Sequence, residues 1–171
     1  MSATPSSGLY TPAQRARRDA TVWTPVQGVL APLQFGVFLL SLGLVIYSLR
    51  TGLATDWALG SVVAKTLLLY AIMVTGCIWE KVVFGQYLFA PAFFWEDVVS
   101  MVVLALHTAY LVVWMQGLWS APEQLALALT AYAAYAFNAL QYLRKLQGQA
   151  IAERSLDISN TFDHCFELVR F

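Results

Sequence analysis

From Ala20 to Leu49 the chain carries no Asp, Glu, Lys or Arg. A stretch that long exceeds the roughly 20 apolar residues needed to cross a bilayer, and this limits the fold more than any other feature. The whole chain agrees, with 59% hydrophobic and 12% charged residues in 171, too apolar for an ordinary soluble core. The class expected is an all-α, polytopic integral membrane protein with four transmembrane helices. The polar start, MSATPSSGLYTPAQRARRD, lacks the short apolar core and cleavage site of a signal peptide, so the first span is expected to be retained.

The four spans are expected at about Val26–Leu49, Trp57–Trp79, Phe93–Gln116 and Glu123–Leu143. They divide the chain into an N-terminal segment 1–24, a transmembrane domain 25–147 and a tail 148–171. Residues Met1 to Gly8 read as disordered, and Thr11-Pro12 before AQRARRDA reads as a capped helix start. That short helix serves either as an interfacial anchor near anionic headgroups or only as a topogenic signal. Pro32 is expected to kink the first span, Gln27 and Gln34 to face the bundle, and Gly28, Gly36 and Gly43 to permit close helix packing. Lys65 is expected to snorkel to the interface, the alternative being a role inside the bundle. Gly85 and Pro91 break the chain between the second and third spans. The mixed-polar tail could form a short helix, with His164 beside Cys165 in it carrying no evident chemistry.

Arg15, Arg17, Arg18, Lys81, Arg144 and Lys145 fall on one side of a four-span topology and Arg50 on the other. The positive-inside rule puts both termini and the turn after the second span in the cytoplasm. The net charge is zero, which gives electrostatic binding to nucleic acid no support. Two distant cysteines, Cys77 and Cys165, indicate neither a disulfide framework nor a Cys-x-x-Cys metal site.

The chemistry concentrates in WEKVVFGQYLFAPAFFWED, residues 79–97. Ionisable groups at a membrane face are costly unless paired or wet, which marks Glu80, Glu96 and Asp97 as catalytic candidates. The bland alternative is a set of ion pairs, such as Glu80 with Lys81 or Lys65, that merely holds the turn. Glu96, Ser100 and His107 share one helix face, with Glu96 and His107 roughly 16 Å apart along the axis. Tyr132, Tyr135, Asn138 and Tyr142 form a second stripe at helical spacing, serving as either packing or a ligand wall. Trp79, Trp95, His107, Tyr135 and Asn138 are the substrate-binding candidates. No metal site is expected: a di-metal bundle needs Glu-x-x-His pairs, and positions 104 and 161, three before each histidine, are Leu and Thr. A carboxyl group desolvated beside Trp and Phe can remain protonated near neutrality and act as an acid toward a large, flat, apolar molecule.

Three blocks carry a resemblance to a known family: LYTPAQRARRDATVWTPVQGVLAPLQF at 9–35, YAIMVTGCIWEKVVFGQYLFAPAFFWEDVVSMVVLALHTAYL at 70–111, and AYAAYAFNALQYL at 131–143. The chain resembles the 3-vinyl bacteriochlorophyllide hydratases of phototrophic bacteria. That resemblance implies hydration of the C3 vinyl group of chlorophyllide a or 3-vinyl bacteriochlorophyllide a to a 1-hydroxyethyl group, in bacteriochlorophyll a synthesis. It implies a tetrapyrrole substrate, membrane lipid and other enzymes of that synthesis as partners, and a bacterial inner (intracytoplasmic) membrane location. No cofactor is expected, since the Mg belongs to the tetrapyrrole, and His107 could ligate it. Between the carboxylates, the sequence favours Glu80 as proton donor, because it ends a helix, and Glu96 or Asp97, which begin one, as base. The competing class is a non-catalytic pigment-binding or photosystem assembly protein.

Overall fold

The computed structural model describes residues 9–168, with side chains for residues 9–151 and Arg154. Five helices follow one another: α1 Pro12–Ala20, α2 Trp23–Thr51, α3 Thr55–Phe84, α4 Phe94–Met115 and α5 Ala121–Leu168. The expected disordered lead, residues 1–8, lies outside the described residues, as do the side chains of His164 and Cys165.

Short α2–α3 and α4–α5 connections make two antiparallel hairpins, and each hairpin's own helices pack against one another most extensively. The inward residues of α2 are Gln34, Phe38, Ser41, Val45 and Ser48, a repeating four-three spacing that keeps one seam toward the bundle. Val103, His107 and Tyr110 of α4 and Leu125, Ala128 and Tyr132 of α5 do the same.

Polarity runs opposite to that of a soluble bundle. Ser41, Ser48, Lys65, Thr66 and His107 are buried, whereas Val29, Leu40, Trp57, Leu67 and Val74 are exposed. Only a hydrocarbon solvent makes that arrangement favourable, since apolar side chains gain nothing from leaving lipid while polar ones must find partners inside. By length and composition α2, α3 and α4 can each cross a membrane. These are three of the four expected spans. The fourth, within α5, is diluted by Thr130, Asn138, Gln141 and three tyrosines and does not stand out in the same way.

Several expectations are corrected. Lys65 does not snorkel; it is fully buried, with its Nζ 3.8 Å from the centre of the Tyr135 ring. Gly28, Gly36 and Gly43 do not mediate helix packing, because nothing lies within 4 Å of where a Cβ would stand. The tail is not a separate short helix: α5 runs unbroken to Leu168, 48 residues, about 72 Å. Gln27 and Gln34 face the bundle as expected, Gln27 donating to Thr75 at 2.7 Å and Gln34 being buried. Helix α2 continues through Pro32.

The N-terminal helix forms as read. Thr11 caps it, accepting from the Gln14 N–H, while the Gln14 side chain accepts from the Thr11 N–H, and Pro12 occupies the first turn. It is more than a topogenic signal, because α1 packs on α3 and Tyr10 is buried against Phe84 and Phe93.

Candidate active site

The turn 85–93 joins α3 to α4 and brings the carboxylates together. Helix α3 stops at Gly85, whose φ of +88° suits glycine, and the Gly85 N–H closes the helix on the Lys81 carbonyl. Lys81 turns outward, with its Nζ donating to the Gly85 carbonyl at 2.7 Å. It is therefore a cap for the helix end rather than a partner of Glu80.

Two successive N–H groups of the turn point inward at two carboxyls. Phe89 donates to Asp97 Oδ2 at 2.8 Å, and Ala90 donates to Glu80 Oε1 at 2.8 Å. Phe89 holds a φ of +60°, a left-handed conformation costing about 1 kcal/mol or more outside glycine, which these bonds help to sustain. The Glu80 and Asp97 carboxyls are also close neighbours. Two carboxylates offer only acceptors and repel one another, so their closeness favours a single proton held between them. The pair is buried at the junction of the last turn of α3 and the first turn of α4.

Glu96 has a different partner. Lys145 of α5 reaches its Oε2 at 2.7 Å, while the same ammonium lies 4.6 Å from the centre of the Phe93 ring. Tyr142, one turn earlier, lies close to Ser100 and to all three carboxyls and stacks on Phe93. Asn138 donates to Ser100 at 2.8 Å. The site thus joins Glu80, Glu96, Asp97 and Asn138 from the expected set and adds Ser100, Tyr142 and Lys145. Spacing held the signal for the last two: Asn138 and Lys145, like Tyr135 and Tyr142, stand seven residues apart on α5.

The remaining candidates separate. Trp79 joins the aromatic floor, edge-on to Phe84 and Phe93, with its Nε1 donating to Thr24 at 3.0 Å. Trp95 turns away from the carboxyl pair and is 69% exposed. His107 and Tyr135 lie deeper in the bundle, with the His107 ring 5.9 Å from that of Tyr132 and its Nδ1 2.8 Å from the Val103 carbonyl. Because His107 is fully buried, it presents no open face for a macrocycle's metal. Among the described residues no three His, Cys, Asp or Glu side chains converge as a metal site.

Residues 10–148 match the family described as 2-vinyl bacteriochlorophyllide hydratase. The chain belongs to that family. Its resemblance to the hydratases extends to individual proteins. It is 62% identical over 147 residues to the 2-vinyl bacteriochlorophyllide hydratase of Cereibacter sphaeroides, covering 85% of this chain and 90% of that one. It is 58% identical over 151 residues to the protein of that name from Rhodobacter capsulatus, covering 87% and 86%. No solved structure matches the chain. The match begins at Tyr10 and so takes in α1.

Proposed function

We propose that this chain hydrates the vinyl group of a bacteriochlorophyllide or chlorophyllide to a 1-hydroxyethyl group in bacteriochlorophyll synthesis. The vinyl group numbered 2 in the relatives' names is C3 in current ring numbering. Membership of the hydratase family carries this reading, and a buried pair of neighbouring carboxyls, able to hold one proton between them, suits the chemistry it requires.

The proton passes from Glu80 to the terminal vinyl carbon, leaving a cation on the carbon attached to the macrocycle, where conjugation spreads the charge. Water adds there through its oxygen and gives a proton to Asp97. The pair ends as it began, with one proton between two carboxyls, so no net proton is consumed beyond those of the added water. Glu96, held by Lys145, fixes the first turn of α4 and keeps a charge close to the forming cation. No step transfers electrons, and the only metal in this reading is the Mg of the substrate.

In this reading α5 is a fourth span, both termini and the turn 85–93 are cytoplasmic, and the protein resides in the bacterial inner membrane in contact with lipid and other enzymes of the synthesis. The basic residues Arg15, Arg17, Arg18, Arg144 and Lys145 at one end support it.

Membranes from cells expressing only this chain, mixed with chlorophyllide a, should yield pigment heavier by one water, with the oxygen taken from labelled solvent. Turnover should survive dialysis and chelators. Bound pigment of unchanged mass would instead favour the non-catalytic pigment-binding reading, and loss of turnover with a chelator, restored by a transition metal, would show that a protein-bound metal takes part.

A further inference from the structure

Helix α2 carries Gln27, Gln34, Ser41 and Ser48 at intervals of seven residues, a polar stripe down the inward seam of a mostly apolar helix. Three of the four have partners across the bundle. Gln27 donates to Thr75, Ser41 bonds Ser61 and Tyr132, and Ser48 bonds Thr55. The stripe continues on α4, where Ser100 and His107 are also seven apart.

The middle of this column is unsatisfied. The Nζ of Lys65, the Nε2 of His107, the Oε1 of Gln34 and the Oδ1 of Asn138 are all buried without a hydrogen-bond partner among the described residues. The carboxylates do not serve Lys65, since Glu80 is engaged by Ala90 and Asp97, and Glu96 by Lys145. Tyr135 covers Lys65 with the face of its ring but offers no lone pair there.

The two unpartnered nitrogens are complementary. The Nδ1 of His107 faces the Val103 carbonyl, which places the proton on Nδ1 and leaves Nε2 as an acceptor. Lys65 is only a donor, and the two side chains lie within electrostatic reach of one another. A donor without an acceptor and an acceptor without a donor in one buried layer are the partners an internal water joins, accepting from one and donating to the other.

We infer that the bundle interior holds bound water between Lys65 and His107, and that this layer supplies the hydrating water to the Glu80–Asp97 pair. From His107 to Ser100 the rise along α4 is about 10.5 Å, three or four hydrogen-bond lengths. At the far end of that rise Asn138, whose side-chain carbonyl is buried and unpartnered, donates to Ser100, and Tyr142 lies close to Ser100 and to the carboxyls. The supply role rests on the hydration reading, whereas the bound water does not. Lys65 and His107 act in this scheme as positioning residues.

Radiolytic labelling of the full chain in lipid discs tests the water directly, because X-rays convert bound water to hydroxyl radicals where it sits. In labelled water, oxidation should appear at His107 and Tyr135 and stay low at Tyr110, as enclosed as His107 but with its hydroxyl committed to the Leu59 carbonyl. His107 and Tyr135 no more oxidised than Tyr110 would overturn the inference. In Lys65→Met/His107→Leu the Tyr135 label should fall to the Tyr110 level without loss of thermal stability. Its kcat should drop about tenfold, the equivalent of one lost hydrogen bond, with KM for the pigment unchanged. His107→Gln, which keeps an acceptor, should restore both label and rate, and it serves as the test if the double variant does not fold. A dry variant that hydrates at the parental rate would refute the supply role. A parental chain that labels as expected but hydrates no pigment would refute the proposed function and the supply role together while upholding the water.

Discussion

Three carboxyl groups lie within one turn of each other's helix ends, yet the structure gives them two situations. Glu96 is paired with a lysine, while Glu80 and Asp97 face each other and are each anchored by a backbone N–H. Amide variants separate anchoring from proton transfer, because a side-chain amide keeps the oxygen that accepts from the turn but cannot deliver an acidic proton. Glu80→Gln and Asp97→Asn should therefore both fold and bind pigment, with hydration falling about 100-fold or more in Glu80→Gln. In difference infrared spectra the C=O stretch of a protonated carboxyl should vanish in Glu80→Gln. Hydration by Glu80→Gln at the parental rate would disprove the donor assignment. The place of Glu80 at a helix end is legible in the sequence and is what motivates its proposed role as donor. Its neighbour in space is not, because the sequence offered Lys81 and Lys65, one of which caps a helix end while the other is buried among aromatic rings.

Elements place these residues, and α1 is the least expected contributor. It is short, with no buried residue of its own, and it is held to α3 through Tyr10 just ahead of it. Tyr10 stacks 5.7 Å from Phe84 and tilts 6.4 Å from Phe93, so the floor beneath the turn is completed from the N-terminus. Tyr10→Ala removes a buried ring and should destabilise the protein by about 3 kcal/mol, freeing α1 for proteolysis in intact membranes. Trp95→Ala, at an exposed position in the same region, should change stability by only about 0.5 kcal/mol. Equal losses from the two would mean that Tyr10 does not close the floor. The capped start of α1 was readable from Thr-Pro-x-Gln, since capping is local chemistry. Its docking was not, because a tyrosine in a polar leader gives no sign of what it will pack against.

For the whole molecule, the two hairpins bury polar seams and expose apolar flanks, and their ends differ. The turn 85–93 closes over carboxyls, whereas residues 116–120 are tied off by Ser120 and Glu123, the Ser120 N–H and hydroxyl both donating to Glu123 Oε2 at 2.7 Å. Four spans put these ends on opposite sides of the membrane. Single cysteines introduced at Gln86 and at Ser120, in a background without Cys77 and Cys165, should then label from the cytoplasm and the periplasm respectively. Periplasmic labelling at Gln86 would reverse the orientation, and labelling of both sites from one side would remove a span between them.

What the sequence determined by itself was what local chain chemistry dictates: helices from charge-free runs, the break at Gly85, the cap at Thr11, and the crowding of carboxyls around one turn. Those features depend on the identities of residues a few positions apart. Only the tertiary structure decided that Lys65 points inward, that Lys145 rather than Lys81 or Lys65 neutralises a carboxylate, that the stripe glycines face away from the helices, and that His107 is enclosed. Each of these follows from how helices are rotated about their axes and which helix end meets which turn. In lipid an apolar stripe does not reveal its inward side, because Leu and Val are equally at home against a neighbour or the bilayer, so the rotation is set by buried polar partners from distant parts of the chain.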